Sequence, residues 1–358
     1  MAEHTGSLVI LIPNFNDWEP LELLLDQLDP VAGGLGWRIS VLVVDDASTL
    51  PLPPGWPARP PLALAPIEIL HLRANLGHQR AIALGLYHIH ETRPGSTVLV
   101  MDGDGEDRPA DLPALLDEYE RSGRRDCVFA ARGKRMESLT FQFFYRVYRL
   151  LHLALTGIEV RVGNFSVLPP EAVARLMAVS DLWNHYAAAV LRARLPRRLL
   201  SLARGSRLAG NSQMNFTGLL VHGLSAISVF SDRVSARLLT LSAILGLVVT
   251  LLGAAAGAVS LFTDWTLPPA AVSALIALGA VTLQSLLLTA FFVFLIAHRR
   301  ATPGFLLPRD AAHFLLGVSH TDEPSSLERL AAALHSSSTP ATPSQAPAHT
   351  SAPGEVRR

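Results

Sequence analysis

The stretch VLVMDGDGEDRP, residues 98–109, runs Val98–Met101 straight into four carboxylates, Asp102, Asp104, Glu106 and Asp107. An uninterrupted apolar run of this kind reads as a strand buried on both faces, as in a parallel sheet covered by helices. In such sheets ligands bind beyond the carboxyl ends of the strands. Acids placed there point to a site. Outward from this strand the pattern repeats. Leu8–Ile12 ends at Pro13, Val41–Val44 ends at Asp45 and Asp46, Ile67–Leu72 precedes a helical pattern from His78 to His90, and Cys127–Ala131 reads as another strand. This alternation predicts an α/β sandwich. Asn14, Asn16, Asp17, Asp45, Asp46, Asn75, His78, Asp102, Asp104, Glu106 and Arg132 all follow apolar runs and so should collect at one edge of the sheet.

Asp102 and Asp104 lie two apart, and residues i and i+2 at a strand end project to the same side. Two adjacent carboxylates repel unless a proton or a cation sits between them. A hard divalent cation prefers oxygen ligands and commonly takes one or two protein carboxylates plus substrate phosphates. The pair therefore reads as a handle for a metal and a diphosphate, with Glu106 a candidate third ligand. An EF-hand loop is excluded, because Asp107 stands where it needs glycine and Pro113 where it needs a bidentate glutamate.

Composition narrows the class. In the 358 residues Lys+Arg and Asp+Glu balance at 30 each, which argues against a nucleic-acid partner. Lys134 is the sole lysine. Cys127, the single cysteine, excludes an internal disulfide and a cysteine-rich zinc site, and reads as a small buried hydrophobe. The N-terminus, MAEHTGSLVILIPNFND, has an acid and no basic region, so it reads as a first strand and not as a signal peptide.

The hydrophobic share of 49% and the mean hydropathy of +0.32 point to a membrane portion. Leu238–Leu261 carries no charge, and a helix of about 24 residues is roughly 36 Å long, more than the hydrocarbon core needs. Ala270–Ala297 is similar. Arg233 and Arg237 precede the first span, His298, Arg299 and Arg300 end the second, and Asp264 lies in the loop between. The positive-inside rule then places the N-terminal domain and the tail in the cytoplasm, on a two-helix cell-membrane protein. Phe141–Leu155 and Phe216–Phe230 fit either interfacial helices or segments packed on the sheet. The expected organisation is a catalytic domain at 1–215, a juxtamembrane helix at 216–237, a transmembrane hairpin at 238–300, a membrane-proximal segment at 301–319 and a Ser/Pro/Ala-rich disordered tail at 320–358.

Several ordered motifs carry a resemblance. They are VILIPNFND (9–17), VLVVDDAS (41–48), RANLGHQRAIALGL (73–86), VMDGDGEDRPADLP (100–113), AARGKR (130–135), GNFSVLPPEAV (163–173) and RGSRLAGNSQMNF (204–216). With these the chain resembles family 2 glycosyltransferases of the GT-A fold, and within them the polyprenyl-phosphate type with two C-terminal membrane helices. The resemblance implies an inverting transfer from a nucleotide-diphosphate sugar to a polyprenyl phosphate, assisted by Mg2+ or Mn2+. It leaves a homo-oligomer open.

The resemblance also assigns residues. Pro13, Phe15 and Asp17 match positions lining the nucleotide pocket, and Val44 and Asp46 match the base-binding pair. Asp102, Gly103 and Asp104 match the metal and diphosphate motif, and Glu106 replaces a common glutamine beside it. Arg132 and Arg207 match phosphate-holding arginines, for which the guanidinium fork is suited. Gln213 stands where lysine is usual, and Arg204 is placed to compensate at the acceptor phosphate. Asn75 and His78 either position a loop near the donor or cap the helix that follows, and His185 either faces the acceptor or is structural.

Asn164 occupies a position where lipid-phosphate members often carry aspartate, and an asparagine cannot act as a general base. A phosphate acceptor, already ionised near neutral pH, does not need one. The chain also lacks the Gln-x-x-Arg-Trp motif of processive synthases. Two rivals remain at this point: a transferase acting on another lipid or protein hydroxyl, and a catalytically degenerate membrane scaffold. The sugar, the nucleotide and the exact lipid are not legible.

Overall fold

The computed structural model describes residues 6–64, 67–132, 150–157, 162–210, 216–301 and 305–321. Eight strands form one sheet: β1 (Ser7–Asn14), β2 (Arg38–Asp45), β3 (Ile67–Leu72), β4 (Thr97–Val100), β5 (Cys127–Arg132), β6 (Val162–Leu168), β7 (Arg197–Leu202) and β8 (Leu315–His320). Their order is β7-β5-β6-β4-β1-β2-β3-β8. β3, β2, β1 and β4 run parallel, β6 is antiparallel to β4 and β5, β7 is parallel to β5, and β8 is antiparallel to β3. This is the mostly parallel, mixed sheet that the GT-A resemblance implies.

The strands read as apolar runs because both faces are covered. Val9, Leu11, Leu42 and Val44 face one core, closed by α2 (His78–Thr92), α4 (Pro170–Met177) and α5 (Tyr186–Arg192). Leu8, Ile10, Ile12, Val41 and Val43 face the other, closed by α1 (Trp18–Gly33) and α3 (Leu112–Arg121). Helix α2 lies close to the sheet at Gly85. A Cβ there would meet Leu11 Cδ1 at 2.3 Å and Val44 Cγ2 at 2.8 Å. Gly85→Ala is therefore expected to destabilise the domain by about 2 kcal/mol, an overpacking cost near 3 less about 1 of helix propensity. A thermal-melt midpoint equal to wild type would show that α2 stands further from the sheet.

After α6 (Phe216–Ser228) the chain enters α7 (Ser231–Phe262) and α8 (Pro269–Ala301). Both are long and apolar enough to cross a membrane, and only 11% of the most apolar window of each is buried. Leu241, Leu251, Ile276, Leu287 and Phe294 are among their exposed side chains, a surface that water would penalise strongly and hydrocarbon would not. The helices contact each other through small and polar groups, including a 2.9 Å hydrogen bond between Ser242 Oγ and Ser285 Oγ. A double-mutant cycle of Ser242→Ala and Ser285→Ala is expected to give a coupling of about 0.6–2 kcal/mol. Strictly additive losses would remove that bond from the account of hairpin stability.

The helix α7 begins outside the apolar span, against the soluble domain. Arg192 on α5 donates to Asp181 Oδ2 at 2.7 Å, to Asp232 Oδ1 at 3.1 Å and to the Val229 carbonyl at 2.9 Å. Val229 and Phe230 are buried with Ala188. The C-terminal end of the 216–230 stretch thus packs on the domain, while Val221 and Leu224 stay exposed. Residues 141–149 lie outside the described residues, and of the rest of that stretch Leu150, Leu151 and Leu153 are exposed.

Residues 315–320 return from α8 to the sheet as β8. The stretch read from sequence as a membrane-proximal segment at 301–319 therefore contributes an edge strand, and the boundary at 320 falls at that strand's last residue. Both ends of the helical hairpin thereby connect to one sheet.

Candidate active site

The topology gathers one edge. The carboxyl ends of β1, β2, β3, β4, β5 and β7 and the amino end of β6 lie on the same side of the sheet. The β1–β4 neighbour pair, reached after β2 and β3 are laid on the other side of β1, is a switch point in strand order, where ligand crevices form.

At the end of β4 exposure alternates. Asp102, Asp104, Glu106 and Arg108 are half-buried and face the edge, while Met101, Gly103, Gly105, Asp107 and Pro109 are buried. Gly103 has no room for more, since a Cβ would lie 3.1 Å from Ile12 Cγ2. Asp107 is only 3% exposed, and its Oδ2 accepts the Asp102 N–H at 2.9 Å. It braces the loop from within and does not face solvent.

Asp102 Oδ1 lies 3.2 Å from His78 Nε2 and 3.3 Å from Asn164 Nδ2. Asn164 Oδ1 accepts from Gln79 Nε2 at 3.2 Å, and Gln79 Oε1 accepts the Tyr186 N–H at 2.7 Å. Desolvation lowers the pKa of His78, but the fields of Asp102, Asp104 and Asp107 outweigh it and the net shift is upward. Nothing in the sequence separated Gln79 from an ordinary polar residue at a helix start.

The 204–208 segment is laid along the acidic loop by two main-chain bonds. Gly205 N–H donates to the Glu106 carbonyl and Leu208 N–H to the Asp104 carbonyl, both at 2.9 Å. The arginines follow. Arg204 pairs with Glu106, and burial lowers its pKa against the opposing pull of Asp102 and Asp104. Arg207 Nη2 donates to Asp17 Oδ1 at 2.7 Å, and its Nη1 lies 3.3 Å from Asp104 Oδ2. Asp17, Asp104 and Arg207, distant in sequence, form one cluster across the β1–β4 crevice.

The base side is built differently from the sequence expectation. Asp46 is nearly buried, and its two oxygens accept the N–H groups of Leu76 and Gly77 at 2.7 and 2.8 Å. Burial raises its pKa, those two bonds oppose the shift, and Asp45 adds to it. The Val44 side chain is fully buried against α2, so it is not available to a base in an open pocket. Pro13 is buried and Phe15 half-buried at the end of β1. Arg132 ends β5 at the same edge, its side chain lying outside the described residues, as does Gln213. His185 caps α5, its Nδ1 accepting the Ala188 N–H at 3.4 Å. Cys127 is buried, its thiol pushed up to about 12 by burial.

Among the described residues no group of three or more His, Cys, Asp or Glu side chains converges as a metal cage. Glu106, expected as a third ligand, is turned to Arg204. Asp102 and Asp104 remain as two partly buried hard-oxygen donors, each already facing cationic or hydrogen-bond-donating groups. Asn14, 4% exposed at the end of β1, has a side-chain amide without a hydrogen-bond partner. Two carboxylates and an unsatisfied buried amide at one edge fit a divalent cation whose shell a diphosphate completes.

Residues 9–175 match the sequence model of the family described as Glycosyl transferase family 2. An undecaprenyl-phosphate 4-deoxy-4-formamido-L-arabinose transferase of Klebsiella pneumoniae is 26% identical over 141 residues, 36% of this chain and 40% of that protein. A dodecaprenyl-phosphate galacturonate synthase of Rhizobium johnstonii is 29% identical over 135 residues, 37% of this chain and 38% of that one. The chain thus matches about two fifths of the length of these relatives. A glucosyl-3-phosphoglycerate synthase of Mycobacterium tuberculosis, crystallised with Mn2+, UDP-glucose and phosphoglyceric acid, overlays with a TM-score of 0.45 at 16% identity, over 64% of this chain and 79% of that one.

Proposed function

We propose that this chain, whose residues 9–175 match Glycosyl transferase family 2, is a membrane-bound inverting glycosyltransferase that moves a sugar from a nucleotide-diphosphate sugar to a polyprenyl phosphate. The observation that carries the reading is the cluster of Asp17, Asp102, Asp104, Arg204 and Arg207 in the β1–β4 crevice of a domain joined to two membrane-length helices. The matched relatives, both named for transfer to or synthesis on a polyprenyl phosphate, support the acceptor class.

In this reading Asp102 and Asp104 hold Mg2+ or Mn2+, which supplies charge neutralisation at the diphosphate when bound. Pro13, Phe15, Asp17 and Asp46 form the nucleotide end, with the Val44 side chain packed beneath it under α2. Gly103 packs inward on Ile12, so that its neighbours Asp102 and Asp104 face the diphosphate, and Arg132 ends β5 at the same edge. An acceptor phosphate oxygen attacks the anomeric carbon as the bond from that carbon to the diphosphate oxygen breaks, which inverts the centre. Arg204 and Arg207 orient the acceptor phosphate and offset the charge brought together there. The work is positioning and electrostatics. Asn164 supports a phosphate acceptor over a hydroxyl one, because the group beside Asp102 is an amide and cannot accept a hydroxyl proton.

The return of β8 to the sheet supports a two-pass arrangement with the domain and the post-membrane segment on one side. Arg233, Arg237 and His298–Arg300 on that side, with Asp264 opposite, support a cytoplasmic placement for it by the positive-inside rule. The test is purified full-length protein with Mn2+ or Mg2+, a panel of UDP- and GDP-sugars, and undecaprenyl phosphate. Formation of a lipid-linked monosaccharide is expected with one donor. Transfer only to a hydroxyl acceptor, or no nucleotide-sugar binding at all, would overturn the reading.

A further inference from the structure

We propose that the strand following the membrane hairpin is part of the donor site, with Ser319 and His71 acting as positioning residues for the loop that carries Asp46. The proposal rests on the donor reading above. It starts from a run of hydrogen bonds. Ser319 on β8 is fully buried, and its Oγ lies 2.8 Å from His71 Nε2 on β3. His71 Nδ1 lies 3.2 Å from Asp45 Oδ2 at the end of β2. A carboxylate only accepts, so Nδ1 donates to Asp45, and in the neutral imidazole Nε2 accepts from the Ser319 hydroxyl. Asp45 Oδ1 accepts the Ser48 N–H at 3.0 Å, Ser48 Oγ accepts the Asn16 N–H at 2.9 Å, and Asn16 Oδ1 accepts the Leu50 N–H at 2.9 Å.

These bonds hold a loop that would not hold itself. Ala47 and Asn16 have φ of 56° and 58°, a region that side chains disfavour. Asp46 stands between Asp45 and Ala47, and its carboxylate fixes Leu76 and Gly77 ahead of α2. Asp45 and His71 are register partners across β2 and β3, and without β8 the imidazole would lose its second partner. The post-membrane segment is anchored at the same edge. Phe305 stacks on Trp183 at 4.0 Å, Phe314 lies 5.0 Å from the same ring, and Arg73 N–H donates to the Phe314 carbonyl at 2.9 Å. The three residue types also match a nucleophilic triad, but Ser319 is sealed inside the sheet and no substrate reaches its Oγ. The relay is positional, and the donor pocket is complete only after the chain has passed the two helices and rejoined the sheet.

Full-length Ser319→Ala, Ser319→Thr and Val318→Ala proteins separate this from simple strand docking. UDP and GDP binding and amide hydrogen exchange are measured on each. Loss of one buried hydrogen bond is expected to weaken nucleotide binding about tenfold in Ser319→Ala. The Ser48 and Leu50 amides should exchange faster, and the hydroxyl of Ser319→Thr should restore both. Val318→Ala, which leaves the relay intact, should change neither. Wild-type affinity and exchange in Ser319→Ala, or equal losses in Val318→Ala, would overturn the proposal. If Ser319→Ala does not fold, His71→Gln is read in the same way. A wild-type protein that binds no nucleotide would overturn the donor reading instead, and the exchange comparison would still decide whether β8 holds the loop.

Discussion

Asp104→Asn is expected to lower turnover by about 10²–10³-fold, while the fold stays intact. The substitution keeps the size of the side chain and an oxygen for the Glu106 N–H that Asp104 Oδ1 now accepts at 3.0 Å. It removes the charge that faces Arg207 and that a divalent cation would need. The pair with Arg207 is largely buried but long at 3.3 Å, and Arg207 keeps its 2.7 Å partner Asp17, so the melting midpoint should fall only modestly. Asp102→Asn should behave alike. Glu106→Gln provides the internal comparison. Its carboxylate is committed to Arg204, so turnover should fall by about tenfold or less. Initial rates at saturating donor, read beside the melting curve, decide the matter. Full activity in Asp104→Asn would remove the metal handle from the mechanism, and a Glu106→Gln loss as large as that of Asp104→Asn would restore Glu106 as a ligand.

The difference between those two acids shows what a sequence can and cannot carry. A strand's apolar run and the carboxylates after it are local, and Leu8–Ile12, Val41–Val44 and Val98–Met101 announced both the sheet and its ligand edge. Which acid points outward is set by Gly103 and Gly105 packing inward and by Asp107 folding back to the Asp102 amide, and residue type alone does not encode that. Arg207 reaching both Asp17 and Asp104 depends on β7 lying beside β5, which periodicity does not rank against other strand orders. Val44 was aligned with a pocket by motif position, yet strand parity turns it under α2. The longest miss is β8. LLGVSH is a short apolar run after two membrane-length helices, and nothing within it names β3 as its partner. Ser319 and His71 meet across 248 residues of sequence.

Gly205→Ala is expected to reduce kcat/KM by about 100-fold and to cost about 1–3 kcal/mol of stability. A Cβ at Gly205 would lie 2.7 Å from the Gly105 carbonyl oxygen and 2.8 Å from Arg108 Cγ. The first neighbour is main chain and cannot swing aside, so the 204–208 segment must lift from the acidic loop. That strains or breaks the bond from the Gly205 N–H to the Glu106 carbonyl, and it carries Arg204 and Arg207 away from Glu106 and Asp104. A shift near 1 Å in groups that meet phosphate is enough for the stated loss. Gly123→Ala supplies the opposite case. Its φ is 67° and nothing lies within 4 Å of the added Cβ, so it should cost about 1 kcal/mol of stability through backbone strain alone. Gly123 follows α3, away from the carboxyl edge of the sheet, and activity should survive. Two variants with comparable losses of melting midpoint, of which only Gly205→Ala fails to transfer, would separate holding the arginines from holding the fold. Normal transfer by Gly205→Ala would show that the arginine segment need not lie on the acidic loop for the reaction to proceed.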